Sequence, residues 1–196
     1  MASFASIGDA GDVVYSLPVV KKLGGGAYYA VDKPDCRPFV ERIPLLKELL
    51  ESQDYIEEFS PYRGEKIDYD FTTFRCGGFP YGVTLAQLQA DWLGVKGVDI
   101  KTPWLKVEPS LDTEGMIVVS RTNRYRNPYF PWGKLIKSLG EHMIFVGLKE
   151  EHSQFCSECG YVPYLRTGNF YDVARAISGA ELFIGNQSCP NAIAEG

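Results

Sequence analysis

The chain has 196 residues, a formal net charge of −5 at pH 7, 45% hydrophobic and 23% charged residues. This is ordinary globular composition, enough for one domain or two small ones, and the acidic balance argues against a nucleic-acid partner, whose binders carry a basic footprint. No run of 18 apolar residues occurs, so no integral membrane contact is expected; the N-terminal MASFASIGDAGD lacks the basic and apolar regions of a signal peptide, which points to a cytoplasmic location.

In chain order, residues 2–7 read as a short strand and Gly11 to Lys22 as a helix, stopped by Leu23-Gly24-Gly25-Gly26, where glycine supplies a left-handed turn. Ala27 to Val31 reads as a second strand. Pro44 suits the first turn of a helix running to about Glu51. Tyr55 to Phe59 and Ile67 to Thr73 read as strands, and Leu85 to Leu93 as a helix with Thr84 as N-cap. Residues 102–114, with two prolines and weak periodicity, read as a linker. The alternation then restarts: strand Met116 to Ser120, helix Trp132 to Leu139, strand Met143 to Val146, helix Glu150 to about Cys159. Strand Val162 to Leu165, helix Tyr171 to Ile177, strand Leu182 to Ile184 and a helix from near Cys189 follow. Alternating strands and helices predict an α/β fold with parallel sheets in two Rossmann-like lobes, 1–107 and 108–196, the second apparently shortened.

Five cysteines, Cys36, Cys76, Cys156, Cys159 and Cys189, with no export signal read as free thiols. Cys156 and Cys159 form a lone C-x-x-C; with only His142 and His152 as histidines, no metal site is expected.

In open α/β sheets ligands bind beyond the carboxyl ends of the strands. Two glycine turns fall there, Gly11-Asp12 and Gly185-Asn186-Gln187-Ser188. Asp12 reads either as a helix cap, a role Asp9 could share, or as a carboxylate facing a substrate hydroxyl. Ser188 reads as an N-cap, as a hydrogen-bond donor to phosphate at a helix start, or as both. Between Gly115 and Gly140 there is no Asp or Glu, while Arg121, Arg124, Arg126, Lys134 and Lys137 are present. This basic island is either a solvated loop or a phosphate grip, since arginine binds phosphate bidentately and stays charged. Tyr125, Tyr129 and Phe130 beside it read as stacking or core residues, and Trp132 as core. The G-x-G-x-x-G spacing of a dinucleotide turn is absent, which disfavours an epimerase-type reading.

Three segments in this order carry a family resemblance. Gly11-Asp12-Val13-Val14-Tyr15-Ser16-Leu17-Pro18 resembles the N-terminal signature of the heptosyltransferase-like glycosyltransferases of family 9, which have the GT-B fold. Phe145-Val146-Gly147 followed by Glu150 resembles their Val-Gly-Gly-x-x-Glu segment, and Asn169 to Pro190 their late signature. The resemblance implies an N-terminal lobe that takes an acceptor saccharide or other hydroxyl compound and a C-terminal lobe that takes a nucleotide sugar as co-substrate, with no further cofactor. It implies Asp12 as catalytic base, with Asp9 and Gly11 on the acceptor side. It implies donor contacts from Ser120, Arg121, Arg124, Arg126, Gly147, Asn186, Gln187, Ser188 and Cys189, a basic residue of the 121–126 loop neutralising the leaving nucleotide in place of a metal. The late signature departs from the family at Gln187, Cys189 and Ala192, where aspartate, glycine and histidine are usual. The alternative these departures raise is a non-catalytic nucleotide- or phosphate-binding module.

Overall fold

The structure is a computed structural model that describes residues 2–7, 9–32, 39–78 and 80–196; Cys36 lies outside the described residues. The chain divides into two compact units, Met1–Lys106 together with Gly196, and Val107–Glu195. Each is built on a parallel sheet.

The first unit contains β1 (Ala2–Ser6), α1 (Ala10–Lys22), β2 (Gly26–Ala30), α2 (Phe39–Glu51), β3 (Ile56–Pro61), β4 (Tyr69–Asp70) and α3 (Leu85–Trp92). Its strand order is β3-β2-β1-β4, every pair parallel. Helix α1 is buried from Asp12 to Val20 and apolar there except for Asp12 and Ser16, as suits a helix enclosed by its neighbours. Phe4, Tyr28 and Phe71 stack under it with centroids 6.3–6.5 Å apart, and Leu46, Leu49 and Leu50 of α2 are fully buried. Gly26 starts β2 at φ +147°, where a Cβ would lie 1.9 Å from the Ala2 carbonyl oxygen. Only glycine lets β1 and β2 pair from this point.

The second unit contains β5 (Ile117–Ser120), α4 (Trp132–Leu139), β6 (Met143–Phe145), α5 (Lys149–Cys159), α6 (Phe170–Gly179), β7 (Leu182–Gly185) and α7 (Cys189–Glu195). Its strand order is β6-β5-β7, again parallel. The core gathers Ile117, Val119, Trp132, Met143, Phe145, Phe155 and Val162. The Trp132 and Phe155 rings meet edge to face at 5.1 Å, a favoured aromatic geometry.

Four elements differ from the sequence reading. The strand expected over Ile67 to Thr73 is only Tyr69–Asp70, two residues paired with β1. Pro44 lies inside α2, not in its first turn; a proline removes one helical hydrogen bond, and the burial of Ile43, Leu46, Leu49 and Leu50 outweighs that loss. Residues 162–165 form a single bridge, Phe145 with Tyr164. Pro163 accepts from the Phe145 amide at 2.8 Å but has no N–H to extend a ladder. Residues 102–106 are packed rather than a loose linker: Trp104 is buried, and Gln53 and Lys106 exchange hydrogen bonds of 3.3 and 2.8 Å.

Candidate functional sites at the two sheet edges

Strand order fixes where each unit opens. In the first unit the chain builds outward from β1 through β2 to β3, then returns to the other side of β1 as β4. In the second it moves from β5 to β6, then returns across β5 as β7. At such a reversal the connections leave in opposite directions, and a crevice forms beyond the carboxyl ends of the two adjacent strands.

In the first unit an acid–arginine pair lies at this reversal. Asp9 occupies the N-cap backbone position of α1, and its carbonyl accepts from the Asp12 and Val13 amides at 2.8 and 3.3 Å, but its side chain makes no capping bond. Gly11 is part-buried in the first turn. Asp12 is not the cap: it lies inside the first turn with its side chain only 6% exposed. Arg75, in the 3-10 turn Phe74–Gly77 just beyond β4, grips the Asp12 carboxylate with two nitrogens. Its Nε donates to Oδ2 at 3.1 Å and its Nη2 donates to Oδ1, the bidentate geometry that suits a guanidinium to a carboxylate. From α3, Gln89 Nε2 donates to the Asp12 main-chain oxygen at 2.9 Å. Gln89 Oε1 is buried without a hydrogen-bond partner among the described residues. Burial raises the Asp12 carboxyl above its ordinary range, and the two Arg75 bonds and the arginine's charge only partly oppose this. The carboxylate therefore holds a proton more readily than a solvated aspartate.

Arg75 was invisible to the sequence reading. It lies 63 positions from Asp12 and belongs to no motif; only the β1–β4 adjacency brings the two together.

In the second unit an amide at the reversal ties the loop after β5 to the end of β7. Asn186, the residue after β7, accepts from the Thr122 amide at 2.9 Å. Its Nδ2 faces the Thr122 oxygens, Oγ1 at 3.1 Å and the carbonyl at 3.3 Å, and also donates to the Arg124 carbonyl. The Asn186 side chain is thus engaged in shaping the 121–126 loop, where Tyr125 adopts φ +55°. The arginines of that loop are unequal. Arg121 turns onto α5, its Nη1 2.7 Å from Glu158 Oε2 and its guanidinium 5.9 Å over the Phe155 ring. Arg126 bonds Glu158 at 3.3 Å, Gln154 at 3.1 Å and the Thr122 carbonyl at 3.2 Å. Arg124 is exposed, 5.8 Å over the Tyr125 ring.

Ser120 closes β5 fully buried, and its Oγ has no hydrogen-bond partner among the described residues. It faces Gly147, which sits at φ +139°; a Cβ there would come within 3.2 Å of the Glu151 carboxylate and the Phe145 ring. Burial raises the Glu151 carboxyl. Gln187 is exposed and Cys189 is part-buried and outside any disulfide, while Ser188 Oγ donates to the Asn186 carbonyl at 2.9 Å. Of the flanking aromatics, Trp132 is core and Phe130 packs on it at 4.5 Å; Tyr125 and Tyr129 are exposed. Cys156 lies 3.2 Å from His152 Nε2, and Cys159 lies 3.8 Å from Arg121. Among the described residues no cluster of three His, Cys, Asp or Glu side chains is arranged to hold a metal, and no helix is long and apolar enough to cross a membrane.

No family model and no curated protein matches the chain. Two solved structures match it. The E. coli heptosyltransferase WaaC with ADP-2-deoxy-2-fluoro heptose is 13% identical, with a TM-score of 0.60 over 99% of this chain and 85% of that one. The E. coli heptosyltransferase WaaC with ADP is 12% identical, with a TM-score of 0.59 over 99% of this chain and 84% of that one. With parallel sheets in both units, the chain has a heptosyltransferase-like α/β fold of the GT-B type.

Proposed function

We propose that the chain is a glycosyltransferase that moves a sugar from a nucleoside-diphosphate donor to an acceptor hydroxyl with inversion. The observation that carries this reading is the Asp12 carboxylate, buried at the strand-order reversal of the first unit with its proton affinity raised by burial. A general base needs this combination of position and basicity. Asp12 takes the acceptor proton, the acceptor oxygen attacks the anomeric carbon, and the bond to the donor phosphate breaks, releasing the nucleoside diphosphate. Negative charge grows on that leaving group, and fixed cations and hydrogen-bond donors lower the barrier without a metal. In the second unit, the exposed Arg124 and Gln187 and the part-buried Ser188 are the groups proposed for this, together with Ser120 and Gly147. The fold supports the donor class, since the matching structures hold ADP and an ADP-sugar analogue.

A second reading, a nucleotide- or phosphate-binding module without turnover, is favoured by one observation: Arg121 and Arg126 are both engaged by Glu158. A panel of nucleotide sugars separates the two readings. The glycosyltransferase reading expects transfer or donor hydrolysis that falls about 10²- to 10⁴-fold in Asp12→Asn, the range for loss of a general base. Equal turnover in both proteins removes Asp12 as the base. Thermal stabilisation by ligand without any turnover supports the binding module.

A further inference from the structure

We propose that Arg75 is the positioning residue for Asp12: its guanidinium fork fixes the plane of the carboxylate and keeps it charged inside the first unit. The assignment rests on the reading of Asp12 as the base.

A carboxylate 6% exposed at the start of a buried helix is in the setting that neutralises acids, because a low-dielectric surround penalises the charged form. A neutral Asp12 accepts no proton. The groups that act on it are few and come from each element around it. On its own helix, Asp9 adds a like charge one turn earlier, which favours neutralisation. From β2, Tyr28 is fully buried, and its hydroxyl pairs with Ser16 at 2.8 Å. From α3, Gln89 fixes the main chain through the Asp12 carbonyl but carries no charge. Only the turn after β4 supplies a cation to Asp12 among the described residues, and that cation is Arg75.

The geometry goes beyond charge. Nε and Nη2 engage separate carboxylate oxygens, so the carboxylate plane follows the guanidinium plane. Phe74 lies 5.2 Å from the guanidinium carbon and supports it from the same turn. A lysine would supply charge without the fork. Arg75 is itself 49% exposed, so the pair reaches the surface through its basic member while the acidic member stays shielded.

The test combines pH–rate profiles of kcat/KM with ¹³C NMR titration of the Asp12 carboxyl in wild type, Arg75→Met and Arg75→Lys. The expected result is an acid limb in Arg75→Met displaced upward by about 1–3 pH units, the usual effect of an adjacent arginine on an aspartate. Activity returns toward wild type at alkaline pH, Arg75→Lys is intermediate, and the Asp12 titration moves by the same amount as the rate profile. A merely structural role lowers kcat/KM equally at every pH and leaves the titration unmoved; that result overturns the proposal. So does an Arg75→Met protein more active than wild type at neutral pH, which would make Arg75 a block on the base. If Arg75→Met does not fold, the Arg75→Lys titration decides, and an Asp12 midpoint unchanged from wild type overturns the assignment. A displaced titration with no transfer by wild type on any donor leaves Arg75 as the group that sets the Asp12 charge and refutes the glycosyltransferase reading instead.

Discussion

Two of the acid–arginine pairs in this chain are inverses of one another. In the first unit the acid is inside and the arginine outside: Asp12 is 6% exposed and Arg75 49%. In the second the arginine is inside and the acid outside: Arg121 is 11% exposed and Glu158 38%. Burying the acid makes it a stronger base, because desolvation disfavours its charge. Leaving the acid outside makes it an ordinary counterion, and the Arg121 hydrogen bond draws the Glu158 carboxyl below its usual range. The same two residue types therefore serve different ends. One pair holds a carboxylate buried beside β1 and β4; the other, with Arg126, draws two of the loop's three arginines onto Glu158 of α5.

The largest effect that would break this contrast comes from the support beneath the second pair. Phe155 is fully buried between Trp132, Phe145 and the Arg121 guanidinium. Phe155→Ala is expected to cost about 3–5 kcal/mol, read by urea denaturation, because the cavity cannot collapse around two aromatic side chains and a guanidinium. Next comes the amide that shapes the same crevice. Asn186→Leu leaves the Thr122 amide and carbonyl without their partner and is expected to cost about 2 kcal/mol. Hydrogen exchange at the Thr122 amide checks it: protection unchanged from wild type removes Asn186 as the lock.

The pH dependence sharpens the contrast through its sign. Asp12 has a folded pKa above its ordinary 3.8, so the folded chain binds more protons than the unfolded one between those two values. Stability then falls as pH rises through that window. The stability of wild type relative to Asp12→Asn is expected to decline as pH is raised from about 4 toward neutral. Glu158 has a folded pKa below its ordinary 4.5, so its contribution is present above that value and is lost as pH falls through the depressed one. Wild type relative to Glu158→Gln is expected to gain stability as pH rises toward 4.5 and to hold that gain above it. Thermal melts of the three proteins from pH 3 to 7 show both slopes; parallel slopes would erase the distinction.

The smallest effect tests whether the second pair restrains ligand binding. Glu158→Gln relaxes the hold on Arg121 and Arg126 and is expected to tighten nucleoside-diphosphate affinity by about two- to fivefold, the scale of one exposed ionic contact. Unchanged affinity by calorimetry would show that neither arginine reaches the ligand.

Much of the fold was legible because it is local. The Thr84 cap of α3 is a real hydrogen bond, from the Gln87 amide at 3.2 Å, and the alternation of strands and helices does produce two parallel sheets. Asp12 was legible as a residue of interest from its turn. What it touches was not, because Arg75 arrives from β4, whose two-residue strand lies within a longer predicted one. The basic island misled for a related reason. A stretch free of acids along the chain is not free of acids in space, and Glu158 comes from the far end of α5 to meet Arg121 and Arg126. Charge pattern gives the supply of cations; only packing gives their availability.

The Asn186 lock carries a consequence for the ageing of the protein. Its nitrogen faces three oxygens, those of Thr122 and the Arg124 carbonyl. Spontaneous hydrolysis of that one amide to a carboxylate would set an acceptor-only anion against the same oxygens. Attraction would turn to repulsion at the two carbonyl contacts, while the Thr122 amide and hydroxyl can still donate to the new carboxylate, so a single deamidation would loosen the loop at Arg124 and leave it tethered at Thr122.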